Sequence, residues 1–305
     1  MNTKSLVSVV ITTKNEEKNI ETCIKSILFQ TYPKEKIEII VVDNNSTDKT
    51  KEIAKKYTNK VYDKGPERSA QRNYGLLEKS SGEYLLYLDA DMILSSSIID
   101  QCIQTMQNDL NIVALHISEV VLGKKFFSKV RRFERSFYNG TVVDGARFFK
   151  KEILQKVGGF DESMSGPEDW DLDKKLKQSG KIGLLNVDNN INENDNWVLG
   201  SFVKNKGVDY TKYGSVLFHN ESEFDLKKYF LKKRYYTKSF DGYIAKWGKN
   251  DLDVVKQLGF NYRFCGVFIE QGKWKKLLLH PILALGMYFL RGIVGIVYLF
   301  RGLLR

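Results

Sequence analysis

Cysteine and histidine are scarce, with three of each in 305 residues. Cys23, Cys102 and Cys265 lie far apart and match no zinc-ligand spacing, so they read as reduced thiols of a cytosol-facing protein. Three histidines leave no His-rich metal site to consider. The turn after the first apolar run is Thr12-Thr13-Lys14-Asn15-Glu16-Glu17 and has no glycine. A nucleotidyltransferase would be expected to show a Gly-rich phosphate loop there. The run Leu6 to Ile11 is too short for a signal peptide and carries no cleavage pattern. No internal repeat and no low-complexity tract occurs.

What is abundant is positive charge, and it is concentrated. The net charge is +11. Residues 224–305 hold 16 Lys and Arg against 5 Asp and Glu, while residues 1–223 hold 32 of each sign. A neutral domain of residues 1–223 with a basic extension of residues 224–305 points to an anionic partner surface, membrane or nucleic acid.

The first half alternates strand and helix patterns. Val7–Ile11, Ile37–Val42, Val61–Tyr62 and Tyr84–Leu88 read as strands. Between them fall helices over Glu16–Gln30, from the Asn45-Ser46-Thr47 cap candidates to Tyr57, and from Pro66 to Lys79. This order predicts an α/β fold with a mostly parallel, Rossmann-like sheet flanked by helices. Further on, Ser97–Asn108 and Phe126–Tyr138 read as helices and Ile112–Val121 as extended chain. Residues 186–215 read as a long loop or insertion over the site.

Asp89-Ala90-Asp91 follows the buried strand Tyr84-Leu85-Leu86-Tyr87-Leu88 directly. In parallel sheets covered on both faces, ligands bind at the carboxyl ends of the strands. Hard divalent cations bind through one or two carboxylates together with substrate phosphates. The pair therefore suits a metal–diphosphate complex; the alternative is a solvated turn.

Several stretches together resemble family 2 glycosyltransferases of the GT-A fold. They are "VSVVITTKNEEKNI", "IEIIVVDNNSTDKT", "RSAQRNYGL" with "GEYLLYLDADM", and "VGGFDE" with "GPEDWDL". The resemblance covers residues 5 to about 183 and extends more weakly to His219. It implies an inverting, metal-dependent transfer of a sugar from a UDP- or GDP-sugar. It further implies that Asp91 ligates Mn²⁺ or Mg²⁺, that Asp89 touches the ribose or a metal-bound water, and that Asp43 hydrogen-bonds the base. The alternative for Asp43 is an N-cap or turn residue. Thr12, Thr13, Asn15 or Glu16, Arg68 and Arg72 would line the nucleotide pocket. Asp169 would be the general base, with Glu168 and the small residues Gly145 and Ala146 on the acceptor side. The alternative for Glu168 and Asp169 is simple helix capping, since carboxylates are favoured at a helix N-terminus. His219 is a candidate further metal ligand, or a structural histidine.

The tail contains "KKYFLKKRYYTK" and an apolar stretch from Pro281 to Leu304 broken by Arg291 and Arg301. Its uncharged pieces are short for a spanning helix. Helices lying in the interface, with Lys and Arg facing lipid phosphates, fit better. The expectation is a peripheral or monotopic enzyme at the cytoplasmic face of a membrane, with a glycan or lipid-linked acceptor and no nucleic-acid partner. The rivals are a nucleotidyltransferase and a non-catalytic membrane-surface or RNA-binding module.

Overall fold

The structure is a computed structural model and describes residues 4–185 and 197–299. Its first half runs β1 (Val7–Thr13), α1 (Ile20–Leu28), β2 (Ile37–Asp43), α2 (Thr50–Ala54), β3 (Val61–Asp63), α3 (Arg68–Asn73) and β4 (Tyr84–Asp89). The strands in β1, β2 and β4 match the apolar runs. The helices are shorter than their patterns. Helix α1 starts four residues after Glu16, and α3 begins at Arg68, with Glu67 rather than Pro66 at its boundary. A π-helical turn, Tyr74–Lys79, continues α3.

The second half adds β5 (Met92–Leu94), α4 (Ile98–Asn108), β6 (Ile112–His116), β7 (Glu119–Leu122), α5 (Phe126–Arg135), β8 (Ala146–Lys150), α6 (Lys151–Lys156), α7 (Glu168–Lys177) and β9 (Lys181–Leu184). It continues with α8 (Gly200–Asn205), β10 (Leu217–Asn220), α9 (Leu226–Thr237), α10 (Phe240–Trp247), α11 (Leu252–Leu258), α12 (Val267–Ile269), α13 (Lys275–Leu279) and α14 (Pro281–Leu299). The extended chain expected over Ile112–Val121 is two strands in two different sheets.

Seven strands form one sheet in the order β3-β2-β1-β4-β8-β6-β9. Strands β1 to β4 are mutually parallel, β8 is antiparallel to both neighbours, and β9 pairs parallel with β6. Both faces are covered, which is why the strands carry no polar alternation. Val9, Ile11, Leu86 and Leu88 pack against α1 and α4 on one side. Val10, Ile40, Leu85 and Tyr87 face α6 and α7 on the other. Each such aliphatic side chain contributes roughly 1.5–3 kcal/mol by burial.

A second sheet of three strands, β5-β10-β7, sits beside the first. Trp197, Leu199, Val203 and Val208 pack onto it through Phe218 and Val120. So residues 197–213, expected to be loop over the site, form α8 and a 3₁₀ turn on this small sheet. Residues 186–196 of that expected insertion lie outside the described residues.

The C-terminal helices dock on α5 through a third core, in which Val130, Phe133 and Phe137 meet Val267, Phe268 and Met287. Arg291, expected at a lipid surface, points inward instead. Its Nε donates to Glu134 at 3.0 Å and its Nη2 to Tyr138 at 2.7 Å. Buried charges persist when paired and hydrogen-bonded. By length and composition Pro281–Tyr298 is long and apolar enough to cross a membrane, although Arg291 divides it into the two short uncharged pieces read from the sequence. Its outward side exposes Ile282, Leu285 and Ile296.

Candidate active site

Strand order reverses at the β1–β4 pair, since β2 continues on one side of β1 and β4 on the other. Clefts outside such reversals are where open α/β sheets bind ligands. Here the register sets Thr12 beside Asp89 and Thr13 beside Asp43. A cleft of about 400 Å³ opens at this edge. Thr12, Thr13, Glu16, Arg68, Arg72, Asp89, Asp91, Gly145, Glu168, Asp169 and His219 all line it. Eleven of the fourteen residues singled out from the sequence thus converge on one place.

Helix α3 aims two guanidinium groups at the cleft, one turn apart. Arg72 is 1% exposed and lies over the rings of Tyr87 and Phe160. It reaches Asp89 at 3.3 Å, Asp169 at 3.0 Å and Glu168 at 3.7 Å. Arg68 reaches Glu168 at 3.4 Å and Asp89 at 3.8 Å, and also bonds the Tyr236 hydroxyl of α9. Burial pushes the Asp89 carboxyl up, but Arg72, Arg68 and Arg147 outweigh it and hold that group well below the usual carboxylate range. Thr12 Oγ1 donates a further hydrogen bond to Asp89 Oδ1 at 3.1 Å.

The small sheet explains why Asp91 meets His219. The chain leaves β4 at Asp89 and enters β5 at Met92, whose partner in β10 is His219. On the other side of β10 runs β7, which opens with Glu119. The result is a line of side chains. His219 Nε2 lies 3.1 Å from Asp91 Oδ2, and His219 Nδ1 lies 2.9 Å from Glu119 Oε1. Burial disfavours the imidazolium, yet Asp91 and Glu119 on its two sides raise the His219 pKa well above its ordinary value. Glu119 is itself clasped by Arg135 at 2.8 Å and Arg147 at 3.4 Å.

Among the described residues no group of three or more His, Cys, Asp and Glu forms a ready metal cage. The residues nonetheless fit a cation held mainly by substrate. Asp91 Oδ1 is buried with no hydrogen-bond partner. Beside it stands His219 Nε2, which would ligate only with the cation in place of its proton, and octahedral Mg²⁺ or Mn²⁺ needs few protein ligands when phosphates supply the rest.

Glu168 and Asp169 open α7, and neither caps it by a side-chain hydrogen bond. The acidic run divides by face. Asp171 pairs with Lys175 and Lys246, and Asp173 with His116, all away from the cleft. Asp169 enters the cleft with Oδ1 accepting from Arg72 and from the Tyr87 hydroxyl at 2.9 Å. Glu168 Oε2 accepts from the Gly166 N–H, and burial followed by the neighbouring Asp169 charge raises its carboxyl above the ordinary value. Gly145 lies against Asp169, and a Cβ there would stand 2.8 Å from the Asp169 Cβ.

Three of the residues singled out from the sequence lie outside the cleft lining. Asp43 is fully buried, its two oxygens accept from Ser46 N and Ser46 Oγ at 2.6 Å each, and its neighbour Asn44 lines the cleft instead. Asn15 clasps the neighbouring loop, with Oδ1 accepting from Thr47 N at 2.9 Å, and does not line the cleft. Ala146 is a core residue of β8 whose N–H donates to Asp173. Residues missed from sequence are Glu119, Arg131, Arg135, Arg147 and Lys233, all of which line the cleft. The only signal for the first arginines was the basic-aromatic stretch Phe126–Tyr138.

A model of glycosyl transferase family 2 matches residues 8–160. Glycosyltransferase AglE of Haloferax volcanii is 38% identical over 193 residues, which make up 58% of this chain and 63% of AglE. The match therefore spans less than two thirds of that relative. Mannosyltransferase PcManGT from Pyrobaculum calidifontis, solved with GDP-Man and Mn²⁺, superposes with a TM-score of 0.60 at 15% identity, covering 98% of this chain and 88% of that one. Staphylococcus aureus TarS 1–349 in complex with UDP-GlcNAc gives 0.52 at 17% identity, covering 96% and 89%. These two structures share the fold.

Proposed function

The chain belongs to glycosyl transferase family 2, with the GT-A fold, and we propose that it transfers a sugar from a nucleoside-diphosphate sugar to an acceptor hydroxyl or phosphate with inversion. Family membership answers the nucleotidyltransferase alternative. The observation that carries the reading is the convergence, in one cleft, of Arg68 and Arg72, of Asp89, Asp91 and His219, and of Asp169.

Each group has a task set by its surroundings. Arg68 and Arg72 present fixed N–H donors that suit a diphosphate. Asp89, kept ionised by those arginines, is an acceptor for ribose hydroxyls. Asp91 and His219 would hold Mg²⁺ or Mn²⁺, and the ion supplies neutralisation of the charge that develops on the diphosphate leaving group. Asp169 takes the proton of the attacking hydroxyl. Its Oδ1 is held by Arg72 and Tyr87, which fixes the carboxylate's orientation, and Oδ2 is the oxygen that meets the hydroxyl. Gly145 lets Asp169 pack close against β8, since a Cβ there would meet the Asp169 Cβ at 2.8 Å, and the acceptor is taken beside Asp169, where Glu168 borders the cleft.

The acceptor belongs to a lipid-linked or membrane-proximal glycan at the cytoplasmic face. What supports this is the basic tail and the apolar outer side of α14, whose exposed Ile282, Leu285 and Ile296 suit the bilayer interface.

Titration calorimetry of UDP and GDP, with and without Mn²⁺, tests the donor half on wild type and Asp91→Ala. The expected result is metal-dependent binding of one nucleotide that Asp91→Ala abolishes. A folded protein that binds neither would overturn it.

A further inference from the structure

Behind Asp169 a second cavity of about 530 Å³ runs between α5, α9, α11 and α14. It joins the first cleft, because Gly166, Asp169, Trp170, Lys233 and Tyr236 line both. Its far wall is aromatic and apolar, made by Phe240, Phe260, Phe264, Val294 and Tyr298. Phe260 and Phe264 stack at 4.3 Å between ring centres. Val294 and Tyr298 belong to α14, so this wall is one side of the helix that exposes Leu285 and Ile296 on the other.

Into this apolar chamber the chain places more positive charge than it answers. Arg131, Arg135, Lys233, Arg263 and Arg291 line it; carboxylates answer Arg131 (Glu134 and Glu221), Arg135 (Glu119 and Asp144) and Arg291 (Glu134), which leaves Lys233 and Arg263. Lys233 has Tyr229 at 5.4 Å and Tyr236 at 5.8 Å and, among the described residues, no ion-paired carboxylate. Arg263 lies 5.4 Å from the Tyr138 ring and is likewise without a carboxylate partner among those residues. Arg135 Nε and Arg291 Nη1 are buried with no hydrogen-bond partner. Buried donors are nearly always satisfied, so each orphan needs an explanation. A chamber that combines unanswered cations with an aromatic, apolar wall matches an anionic amphiphile.

We propose that this chamber holds the acceptor through a lipid phosphate, with the phosphate near Lys233 and Arg263, the hydrocarbon chain between Phe260, Phe264 and α14, and the hydroxyl of the glycan that the phosphate carries at Asp169. The inference rests on the transferase reading and narrows its acceptor class. The chain would leave the protein alongside the exposed apolar side of α14, where a bilayer can receive it. Burial and then the nearby Arg131 push the Lys233 ammonium down to about 7, and a bound phosphate would restore its charge. Gly166, at φ +114°, lets Tyr236 approach where a Cβ would meet it at 2.6 Å, so α9 closes one side of the junction between the cavities.

Calorimetric titration of the full chain with farnesyl phosphate, farnesol and inorganic phosphate tests this, with UDP and GDP titrated alongside. Farnesyl phosphate is expected to bind at least about tenfold more tightly than farnesol or inorganic phosphate. Lys233→Gln and Arg263→Gln should each weaken it by about tenfold, the scale of one charge-assisted hydrogen bond, and leave farnesol binding unchanged. Farnesol binding as tightly as its phosphate would overturn the proposal, as would equal affinity for inorganic phosphate. So would a Lys233→Gln loss confined to the nucleotide with Arg263→Gln silent, since the cations would then serve the donor. Nucleotide binding without farnesyl phosphate binding removes this inference alone. Farnesyl phosphate binding without nucleotide binding removes the transferase reading and leaves the lipid-phosphate site standing.

Discussion

The two cavities meet at Asp169 and handle charge in opposite ways. In the cleft, each arginine from α3 already faces carboxylates: Arg72 faces three, Arg68 two. In the chamber, Lys233 and Arg263 face aromatic rings. The cleft is internally compensated before any substrate arrives, so its ligands must bring charge that rearranges existing pairs. A metal–diphosphate does this, because it carries cation and anion together. The chamber leaves Lys233 and Arg263 uncompensated and suits a plain anion. The difference therefore separates a donor site from an acceptor site more sharply than either lining does alone.

The largest effect that tests this division is on turnover. Asp169→Asn keeps the hydrogen bonds from Arg72 and Tyr87 available but removes the base. It should lower kcat by about 10²- to 10⁴-fold, the usual worth of a positioned general base. Nucleotide affinity should stay within about twofold, well below the 1.4 kcal/mol that makes a tenfold change. A parallel fall in nucleotide affinity would mean that Asp169 belongs to the donor side and would break the comparison.

Next comes stability in the compensated cleft. Arg72→Met removes the cation that faces Asp169 and leaves Arg68 alone to answer the charges of Asp89 and the buried Glu168. Loss of one partner of a buried network of this kind costs roughly 3–5 kcal/mol. Urea unfolding measures it through the midpoint. Adding Glu168→Gln to Arg72→Met should recover part of the loss, because one buried charge is gone. Additive losses would show the network to be weaker than its distances imply.

The same rule can be checked where no ligand is in question. His116 of β6 lies 2.6 Å from Asp173 and 3.8 Å from Asp144. Burial lowers its pKa, but Asp173 and Asp144 outweigh burial and lift it to about 9. A folded-state pKa above the unfolded value near 6.5 means stability that is complete below pH 6.5 and lost as pH rises through 9. The loss should be about 3 kcal/mol across that window, and His116→Gln should flatten it. A wild-type unfolding midpoint that is level from pH 6 to 9.5 would count against the pairing.

How much of this was legible in the sequence follows from the same geometry. Strand ends are local features, so Asp89, Asp91 and His219 could be read from the apolar runs before them. The α3 arginines and the Glu168–Asp169 pair were legible only as part of motifs in order. Glu119 and Lys233 were not legible, because they reach the cleft through pairings about a hundred residues or more away in sequence. Glu119 arrives by the β7–β10 pairing and Lys233 by the docking of α9. Arg291 misled for a related reason. Its charge looked like a break in an apolar helix until Glu134, 157 residues earlier, was seen beside it. Asp43, Asn15 and Ala146 carried the right residue types at the right strand ends but are consumed by local turns and core packing.

The smallest expected effect bears on where the chamber leads. If the acceptor's chain passes from the chamber into a bilayer, the outer side of α14 is the contact surface. Leu285 is 72% exposed there. Leu285→Ser removes an apolar side chain whose burial in an interface is worth about 1.5–3 kcal/mol, hence an affinity for anionic vesicles lower by about tenfold or more. Folding stability should change by less than about 0.5 kcal/mol, as for other exposed substitutions. Arg291→Leu makes the opposite contrast on the same helix. It should unsettle α14 by removing its hydrogen bonds to Glu134 and Tyr138 while leaving the outer apolar surface intact. Vesicle sedimentation and urea unfolding, measured on both variants, separate the two sides of one helix. Equal vesicle binding by Leu285→Ser and wild type would detach α14 from the membrane and leave the chamber opening into water.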